Sequence, residues 1–140
     1  MALLVVRHAR AGNPVEWQGD DRLRPLDEKG WRQARGLPAL LAPRPLGRLV
    51  SSPALRCTQT LEPLAAERGL ELETATELME GSPGEEAFGL LRELGDRAAV
   101  CTHGDVLKYL FGEAGKKGST RVVELRNGEP VVLEYLPPPE

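Results

Sequence analysis

The chain has 140 residues and a formal charge of −3, from 18 Lys and Arg against 21 Asp and Glu. This acidic balance argues against nucleic-acid partners, and a hydrophobic content of 41% is too high for a disordered chain. Because no aliphatic run approaches the roughly 20 residues of a membrane span and no signal peptide is visible, we expect a cytoplasmic protein without membrane partners.

The chain opens with a predicted strand, a long loop and a helix. Leu3–Val6 is a short, continuous apolar run, typical of a strand that is buried on both faces. Residues 9–28 show no periodicity and predict a loop, and loops of this length in compact domains are usually functional. Apolar residues at helical spacing then predict a helix from Lys29 to about Ala42, with Asp27 as its N-cap.

A second strand and helix follow in the same order. Arg48–Ser51 predicts a short strand. Ser52-Pro53 predicts a helix N-terminus, with the serine as cap and proline at the first helical position. This helix is expected to run to Gly69, and a weak third strand is predicted at Leu70–Leu72.

The same alternation continues into the second half of the chain. Ser82-Pro83 predicts the start of a helix that ends at Gly95, with two glutamates in its first turn where they favour the helix dipole. Ala98–Cys101 predicts a fourth buried strand, and Asp105–Phe111 predicts a short helix after it.

The last elements predict a hairpin and complete the fold class. Val122–Leu125 and Val131–Tyr135 flank Asn127-Gly128, a strong hairpin signal. Strand–helix alternation predicts an α/β fold: a three-layer sandwich with a mainly parallel central sheet, helices on both faces and this antiparallel hairpin at its edge. We expect a single domain over residues 1–136 and a short tail at 137–140.

The two histidines of the chain both follow predicted buried strands. His8 comes just after the first strand, and His103 comes just after the fourth. Ligands of open α/β sheets bind beyond the carboxyl ends of the strands, so these residues meet over one crevice if their strands are neighbours. The alternative is that each is a strand-end histidine held by the backbone. Cys57 and Cys101 lack metal-site spacing, so we expect no metal and no cofactor.

Two arginines are expected at the same edge of the sheet. Arg7 ends an apolar strand, where a buried guanidinium is costly unless it pairs with an anion or a carboxylate. Arg56 lies in the first turns of the helix after Ser52-Pro53. Guanidinium groups bind phosphate oxygens in a bidentate manner, so this set of residues predicts a phosphate pocket. The alternative is that both arginines form ion pairs with acidic neighbours.

Four sequence blocks taken together carry a family resemblance. Their order and spacing resemble those of the histidine phosphatase (phosphoglycerate mutase-like) superfamily over about residues 3–125. The second block looks like that of the small single-domain branch, which includes bacterial phosphohistidine phosphatases. The blocks are Arg7-His8-Ala9, the stretch from Arg24 to Gly30 with Gln33-Ala34, Ser51 to Arg56 with Thr58 and Thr60, and Thr102-His103-Gly104.

This resemblance implies a role for each matching residue. His8 is the expected nucleophile, which forms a phosphohistidine that water then hydrolyses. Arg7 and Arg56 are expected to hold the phosphoryl oxygens, and His103 to stabilise charge on the transferring group, with Gly104 beside it as a substrate contact. Covalent catalysis of this kind needs a neutral imidazole that is held in one tautomer.

Other charged residues leave alternatives open. Arg24 is expected at the mouth of the site as an auxiliary phosphate contact, or else as a solvated loop arginine. The glutamate general acid of larger family members has no clear counterpart here; Glu80 and then Glu77 are the candidates, and both can also be solvated loop charges. Lys116-Lys117 is interpreted as an exposed pair of loop charges.

The predicted function is metal-independent hydrolysis of phosphate monoesters or phosphohistidine. The partner is then a phosphorylated substrate, which is either a small molecule or a phosphohistidine protein. A small-molecule phosphomonoesterase of the sugar or nucleotide type shares every core residue. A non-catalytic phosphate-binding regulatory domain is the alternative outside enzymes.

Overall fold

A computed structural model describes residues 2–139 and shows one sheet of six strands. The central strands are short apolar runs, because a strand that is covered on both faces of the sheet has apolar side chains at successive positions. The strands are β1 Leu3–Arg7, β2 Arg48–Ser51, β3 Leu72–Thr74, β4 Ala98–Thr102, β5 Thr120–Arg126 and β6 Glu129–Leu136.

The sheet is parallel across four strands and antiparallel at one side. Its order is β3-β2-β4-β1-β5-β6, with β5 antiparallel to β1 and β6 antiparallel to β5. Asn127 and Gly128 adopt positive φ angles of 54° and 78° in the predicted hairpin turn. The predicted α/β fold with a mainly parallel sheet and an edge hairpin is confirmed.

Besides a small cluster of Ala9, Leu26 and Ala34 at the loop after β1, the core forms two large clusters on opposite faces of the sheet, and helices cover both faces. One cluster includes Leu37 and Leu61, and the other includes Leu91 and Leu107. Among residues 2–139, no helix is both long and apolar enough to cross a membrane. The helices are α1 Glu28–Leu40, α2 Leu55–Arg68, α3 Gly84–Leu94 and α4 Gly104–Phe111.

The starts of two helices differ from the prediction. Helix α2 begins at Leu55 after Ala54 as N-cap, because the Ser52 hydroxyl contacts His103 instead of capping the helix. Helix α3 begins at Gly84 after Pro83, because the Ser82 hydroxyl donates to the carbonyl of Thr76. The predicted N-cap serines therefore bond elsewhere.

Two further boundaries also differ or are refined. Strand β3 is Leu72–Thr74, two residues later than predicted, because Leu70 still belongs to the helix terminus, where its amide donates to the Ala65 carbonyl. Asp27 does cap α1, with its carboxylate accepting a hydrogen bond of 2.8 Å from the Gly30 amide.

The long loop after β1 is tied to itself and to α1. Ala11 and Leu26 form an isolated antiparallel bridge that closes the loop at its base. A single 3-10 turn at Asp21–Leu23 shapes its outer part. A Cβ on Gly30 would lie only 1.8 Å from the Arg10 carbonyl oxygen. Because Gly30 has no side chain, the loop can pack against α1. The loop is thereby held over the carboxyl ends of the strands.

Candidate active site

The two histidines face each other at the carboxyl ends of adjacent strands. Strands β1 and β4 pair in parallel, with Arg7 opposite Thr102, so His8 and His103 leave the sheet side by side. Their ring centroids are 5.3 Å apart with an interplanar angle of 62°. His8 is 7% exposed and His103 is 1% exposed. The topology thus brings together two residues that are far apart in the sequence.

The His8 imidazole is neutral and has one ring nitrogen free for chemistry. Its Nδ1 lies 2.8 Å from the carbonyl oxygen of Ala9, which can only accept, so Nδ1 carries the proton. The pKa of this imidazole is lowered from 6.5 to about 3, mainly by burial; the bond to Ala9 opposes the shift and the nearby His103 ring adds to it. Nε2 therefore presents a lone pair, as a nitrogen nucleophile requires.

This environment predicts the titration of His8. We expect the ring to stay neutral and Nδ1-protonated from pH 7 down to pH 5, roughly 2 units above its lowered pKa. Long-range ¹H–¹⁵N spectra measure this state directly, and His8→Ala assigns the signals because the chain has only two histidines. An imidazolium signal from His8 at pH 6 in the folded protein would contradict the neutral, Nδ1-protonated state.

The same shift has a consequence for stability. The unfolded chain takes up a proton on His8 as the pH falls below 6.5, whereas the folded chain takes it up only near 3. The contribution of this residue to the free energy of unfolding is therefore complete above pH 6.5 and is lost as the pH falls toward 3.

His103 is held by a serine that the sequence indicated only as a helix cap. Its Nε2 lies 2.8 Å from the Ser52 hydroxyl oxygen, which also accepts a bond from the Ala54 amide. Nδ1 of the ring is buried and has no hydrogen-bond partner among residues 2–139. Ser52 thus fixes the ring in the plane in which it faces His8.

Arg7 lies beside the first turn of α4. Its guanidinium donates to the carbonyl of Gly115 and approaches Gly104 so closely that a Cβ there would lie 2.9 Å from a terminal nitrogen. Burial lowers the pKa of Arg7, and the neighbouring Arg121 adds to this, but a guanidinium remains charged. Gly104 therefore provides the space for a cation next to His103, as expected of a residue at the predicted pocket.

Arg56 is buried, at 1% exposure, and both of its terminal nitrogens are engaged. One donates to the backbone carbonyl of Asp21 at 2.9 Å, and the other donates to Glu80 at 2.7 Å. Because α2 follows β2, which pairs with β4, this guanidinium enters the same crevice as the histidines. The structure places Arg7, His8, Arg56 and His103 together at one edge of the sheet.

Arg24 is buried rather than solvated. It donates to the Gly12 carbonyl at 2.6 Å and forms an ion pair of 2.9 Å with Asp21. Asp21 also reaches Arg56 at 3.2 Å, and its hydrogen bond to Arg24 lowers the pKa of this carboxyl. Sequence reasoning missed Asp21, because a loop aspartate carries no pattern that reveals its partners.

The two candidate glutamates lie in different places. Glu80 forms an ion pair of 2.7 Å with Arg56, and its side chain remains 54% exposed. Glu77 instead borders a shallow surface cleft next to α3, together with Glu86 and Glu93. Of the two candidate glutamates, Glu80 is therefore the one in contact with Arg56.

Thr60 joins the helix of Arg56 to the loop of His8. Its hydroxyl donates to the Arg56 carbonyl at 2.6 Å and accepts from the Ala9 amide at 2.9 Å. The residue that orients His8 is thus anchored to the helix that carries the second arginine.

Within residues 2–139, no group of His, Cys, Asp and Glu side chains is placed to hold a metal ion.

The arrangement is suited to a tetrahedral anion. A neutral nitrogen nucleophile faces a second imidazole, and fixed guanidinium groups supply positive charge on two sides of the crevice. Phosphoryl transfer depends mainly on positioning and charge stabilisation of this kind. Glu80 and Asp21 are the carboxyl groups in contact with Arg56.

Comparison with a family model supports this chemistry. Residues 3–93 match the model of the histidine phosphatase superfamily, branch 1. The matched part includes three of the four residues in the crevice, all except His103. It covers more than half of the chain.

A curated relative and several solved structures are similar to the chain. An 8-oxo-(d)GTP phosphatase of Mycolicibacterium smegmatis is 35% identical over 156 aligned positions; the match covers 99% of this chain but 48% of that protein, so the chain spans about half of its length. The structure of the protein histidine phosphatase SixA with tungstate superposes with a TM-score of 0.83 at 23% identity, covering 99% and 97% of the two chains.

A second solved structure has the same fold at lower identity. The phosphoserine phosphatase of Entamoeba histolytica, as a variant in complex with phosphoserine, superposes with a TM-score of 0.73 at 14% identity. The superposition covers 96% of each chain. Both structural likenesses are likenesses of fold.

Proposed function

The chain belongs to branch 1 of the histidine phosphatase superfamily, and from this membership we propose that it is a metal-independent phosphatase that works through a phosphohistidine at His8. The observation that supports this most is the pair of facing imidazoles, 5.3 Å apart, beside the buried Arg56 and the half-buried Arg7. A regulatory phosphate-binding domain would not need a nucleophile with one nitrogen kept free of protons.

In the first step, Nε2 of His8 attacks phosphorus while N–H groups of Arg7 and Arg56 hold the non-bridging phosphoryl oxygens. The Nε of each of these arginines has no hydrogen-bond partner among residues 2–139. An N–P bond forms and the bond from phosphorus to the leaving oxygen or nitrogen breaks. The negative charge that collects on the phosphoryl oxygens is stabilised by fixed cations, which need no reorganisation during the reaction. His103 adjoins the same oxygens.

The leaving group needs a proton, and Glu80 is the residue we assign to supply it. Asp21 also contacts Arg56, but its lowered pKa keeps it ionised, and both of its carboxylate oxygens are occupied by arginines. In the second step, the Glu80 carboxylate takes a proton from the water that attacks the phosphohistidine. The N–P bond breaks, inorganic phosphate leaves and both side chains return to their starting states.

The direct test is capture of the covalent intermediate. The protein reacts with a ³²P-labelled phosphate donor in excess chelator, and the reaction is quenched within one turnover. We expect the label on the protein to be stable in alkali and to be lost in acid, as for phosphohistidine. The label should map to the peptide that contains His8, at up to one phosphate per chain. Vanadate should prevent labelling because it mimics the transferring group. Turnover without any labelled histidine would contradict the proposal.

The role of Glu80 predicts a dependence on the leaving group. In Glu80→Gln, we expect the phosphorylation rate with an alkyl phosphate to fall by about 10²–10³-fold, whereas nitrophenyl phosphate loses less than about tenfold because its phenolate leaves without a proton. Single-turnover kinetics measure this step. Glu77→Gln is the matched control, since Glu77 borders a different cleft. Equal losses for both substrates would remove Glu80 as the acid.

The proposal extends to the substrate, the cellular compartment and the domain boundaries of the chain. Phosphohistidine protein and small phosphate esters both suit the chemistry of the crevice. The matched relative named an 8-oxo-(d)GTP phosphatase favours a small molecule, although the chain spans only about half of that protein. We place the activity in a single domain over residues 1–136 and in the cytoplasm, where two buried free cysteines remain reduced.

A further inference from the structure

A second concave site adjoins the crevice, and its charge differs from that of the chain as a whole. It is a cleft of about 700 Å³, a volume typical of small-molecule sites. Its walls come from the loop after β1, the first turns of α1, the segment before β5 and the C-terminal prolines. Five cations and one carboxylate line it: Arg10, Lys29, Arg32, Lys116 and Lys117, with Asp27.

The single carboxylate of the cleft does not neutralise its lysines. Asp27 is occupied by the Gly30 amide at one oxygen and by Arg10, at 2.9 Å, at the other. Arg32 pairs with Glu28 on the exposed side of α1. Within the described part of the chain, the three lysines form no ion pair. An acidic protein thus keeps a group of unpaired cations in one concavity.

The walls of the cleft are joined to the crevice by short backbone connections. Arg10 lies two residues after His8, and the Gly118 amide, next to Lys117, donates to the carbonyls of both Arg7 and His8. On the other side, the Gly12 carbonyl that borders the cleft accepts from Arg24. Both walls are therefore fixed to the backbone of the proposed nucleophile.

Electrostatics support the same proximity. Burial lowers the pKa of Lys117, and the guanidinium groups of Arg7, Arg24 and Arg10 lower it further, while Asp27 opposes the shift. Lysines that have no ion-pair partner and stand near other cations favour a polyanionic ligand, since each added anionic group relieves their mutual repulsion.

We propose that this cleft binds a second phosphate group of the substrate, so that the preferred substrates are small molecules with two or more linked phosphates, as in a nucleoside diphosphate or a polyphosphate. This assignment rests on the proposed function, because it places the scissile phosphate between His8 and His103. The concave volume of about 700 Å³, lined by segments from four parts of the chain, suits a compact polyphosphate. The prolines offer apolar contact for the remainder of the ligand.

The test measures binding without turnover. Isothermal titration into His8→Ala compares tripolyphosphate with inorganic phosphate. We expect tripolyphosphate to bind at least about tenfold more tightly, because further charge-assisted hydrogen bonds reach the lysines. Adding Lys29→Met and Lys117→Met should weaken tripolyphosphate about 10–100-fold and phosphate less than about threefold. Lys108→Met, the one lysine that does not line the cleft, is the matched control and should change neither.

Each outcome decides one of the two proposals. Equal affinity for the two anions, or a loss in the double variant no larger than in Lys108→Met, overturns the second site while leaving labelling of His8 unaffected. Lysine-dependent tripolyphosphate binding in a protein that forms no phosphohistidine supports the site and contradicts the catalytic proposal. An acidic phosphopeptide is titrated in the same way. If its affinity falls more than that of tripolyphosphate when the two lysines are replaced, the assignment to a small molecule is overturned.

Discussion

His8→Ala is expected to lower kcat/KM for nitrophenyl phosphate by roughly 10⁴-fold or more and to abolish the labelled phosphoenzyme. The reason is that His8 presents a free Nε2 to the crevice, whereas the Nε2 of His103 is in contact with the Ser52 hydroxyl. Burst and steady-state kinetics measure the loss, and circular dichroism checks that the fold is retained.

Chemical rescue separates loss of the nucleophile from loss of structure. The deleted side chain leaves a space shaped for an imidazole ring, at a position that is 7% exposed. Added imidazole should therefore restore turnover of His8→Ala in a saturable manner, with phosphoimidazole as the first product, and should leave the wild type unchanged. A variant that keeps more than about a tenth of the wild-type rate without imidazole would contradict the mechanism.

Arg56→Ala is expected to lower kcat/KM by about 10³–10⁵-fold, the range found when an arginine that stabilises a phosphoryl transition state is removed. The fold should persist but lose about 1–3 kcal/mol of unfolding free energy, because a buried side chain and its hydrogen bonds disappear. Asp21 and Glu80 then lose their shared cation, but both carboxylates are about half exposed and remain hydrated.

Matched variants separate these two effects of Arg56. Arg56→Met fills most of the same volume without the charge, so it should recover stability and not activity. Arg68→Ala removes another arginine of α2, one that donates to the Leu41 carbonyl outside the crevice, and should keep kcat/KM within about twofold of wild type. Thermal unfolding and initial rates are measured on all three. Near-normal turnover in Arg56→Met would remove this arginine from the site.

The parts of the site that lie at strand ends were predictable from the sequence. Leu3–Val6 and Ala98–Cys101 are apolar runs that can be buried only in the centre of a sheet, and each is followed by a histidine. Ligands of α/β sheets bind beyond the carboxyl ends of strands, so the two histidines were expected to meet if their strands were neighbours, and the structure shows that β1 pairs with β4. Periodicity therefore located His8 and His103 without any knowledge of their contacts.

The parts of the site that lie in loops were not predictable in the same way. Asp21 joins Arg24 to Arg56, and Lys117 lies beside the strand end of His8, but loop paths have no period from which such contacts can be deduced. Ser52 was misassigned for a related reason. Its hydroxyl contacts both the Ala54 amide and the His103 imidazole, and only the tertiary structure brings the imidazole to it.

The strand order also governs when this site comes into existence. Strand β1 leaves the ribosome first, yet both of its neighbours in the sheet, β4 and β5, are synthesised only from residue 98 onward. A nascent chain that has not yet reached β5 therefore exposes its most apolar strand and has no pocket for an anion. If phosphate compounds bind this pocket as we propose, they stabilise the protein only after β5 has joined the sheet.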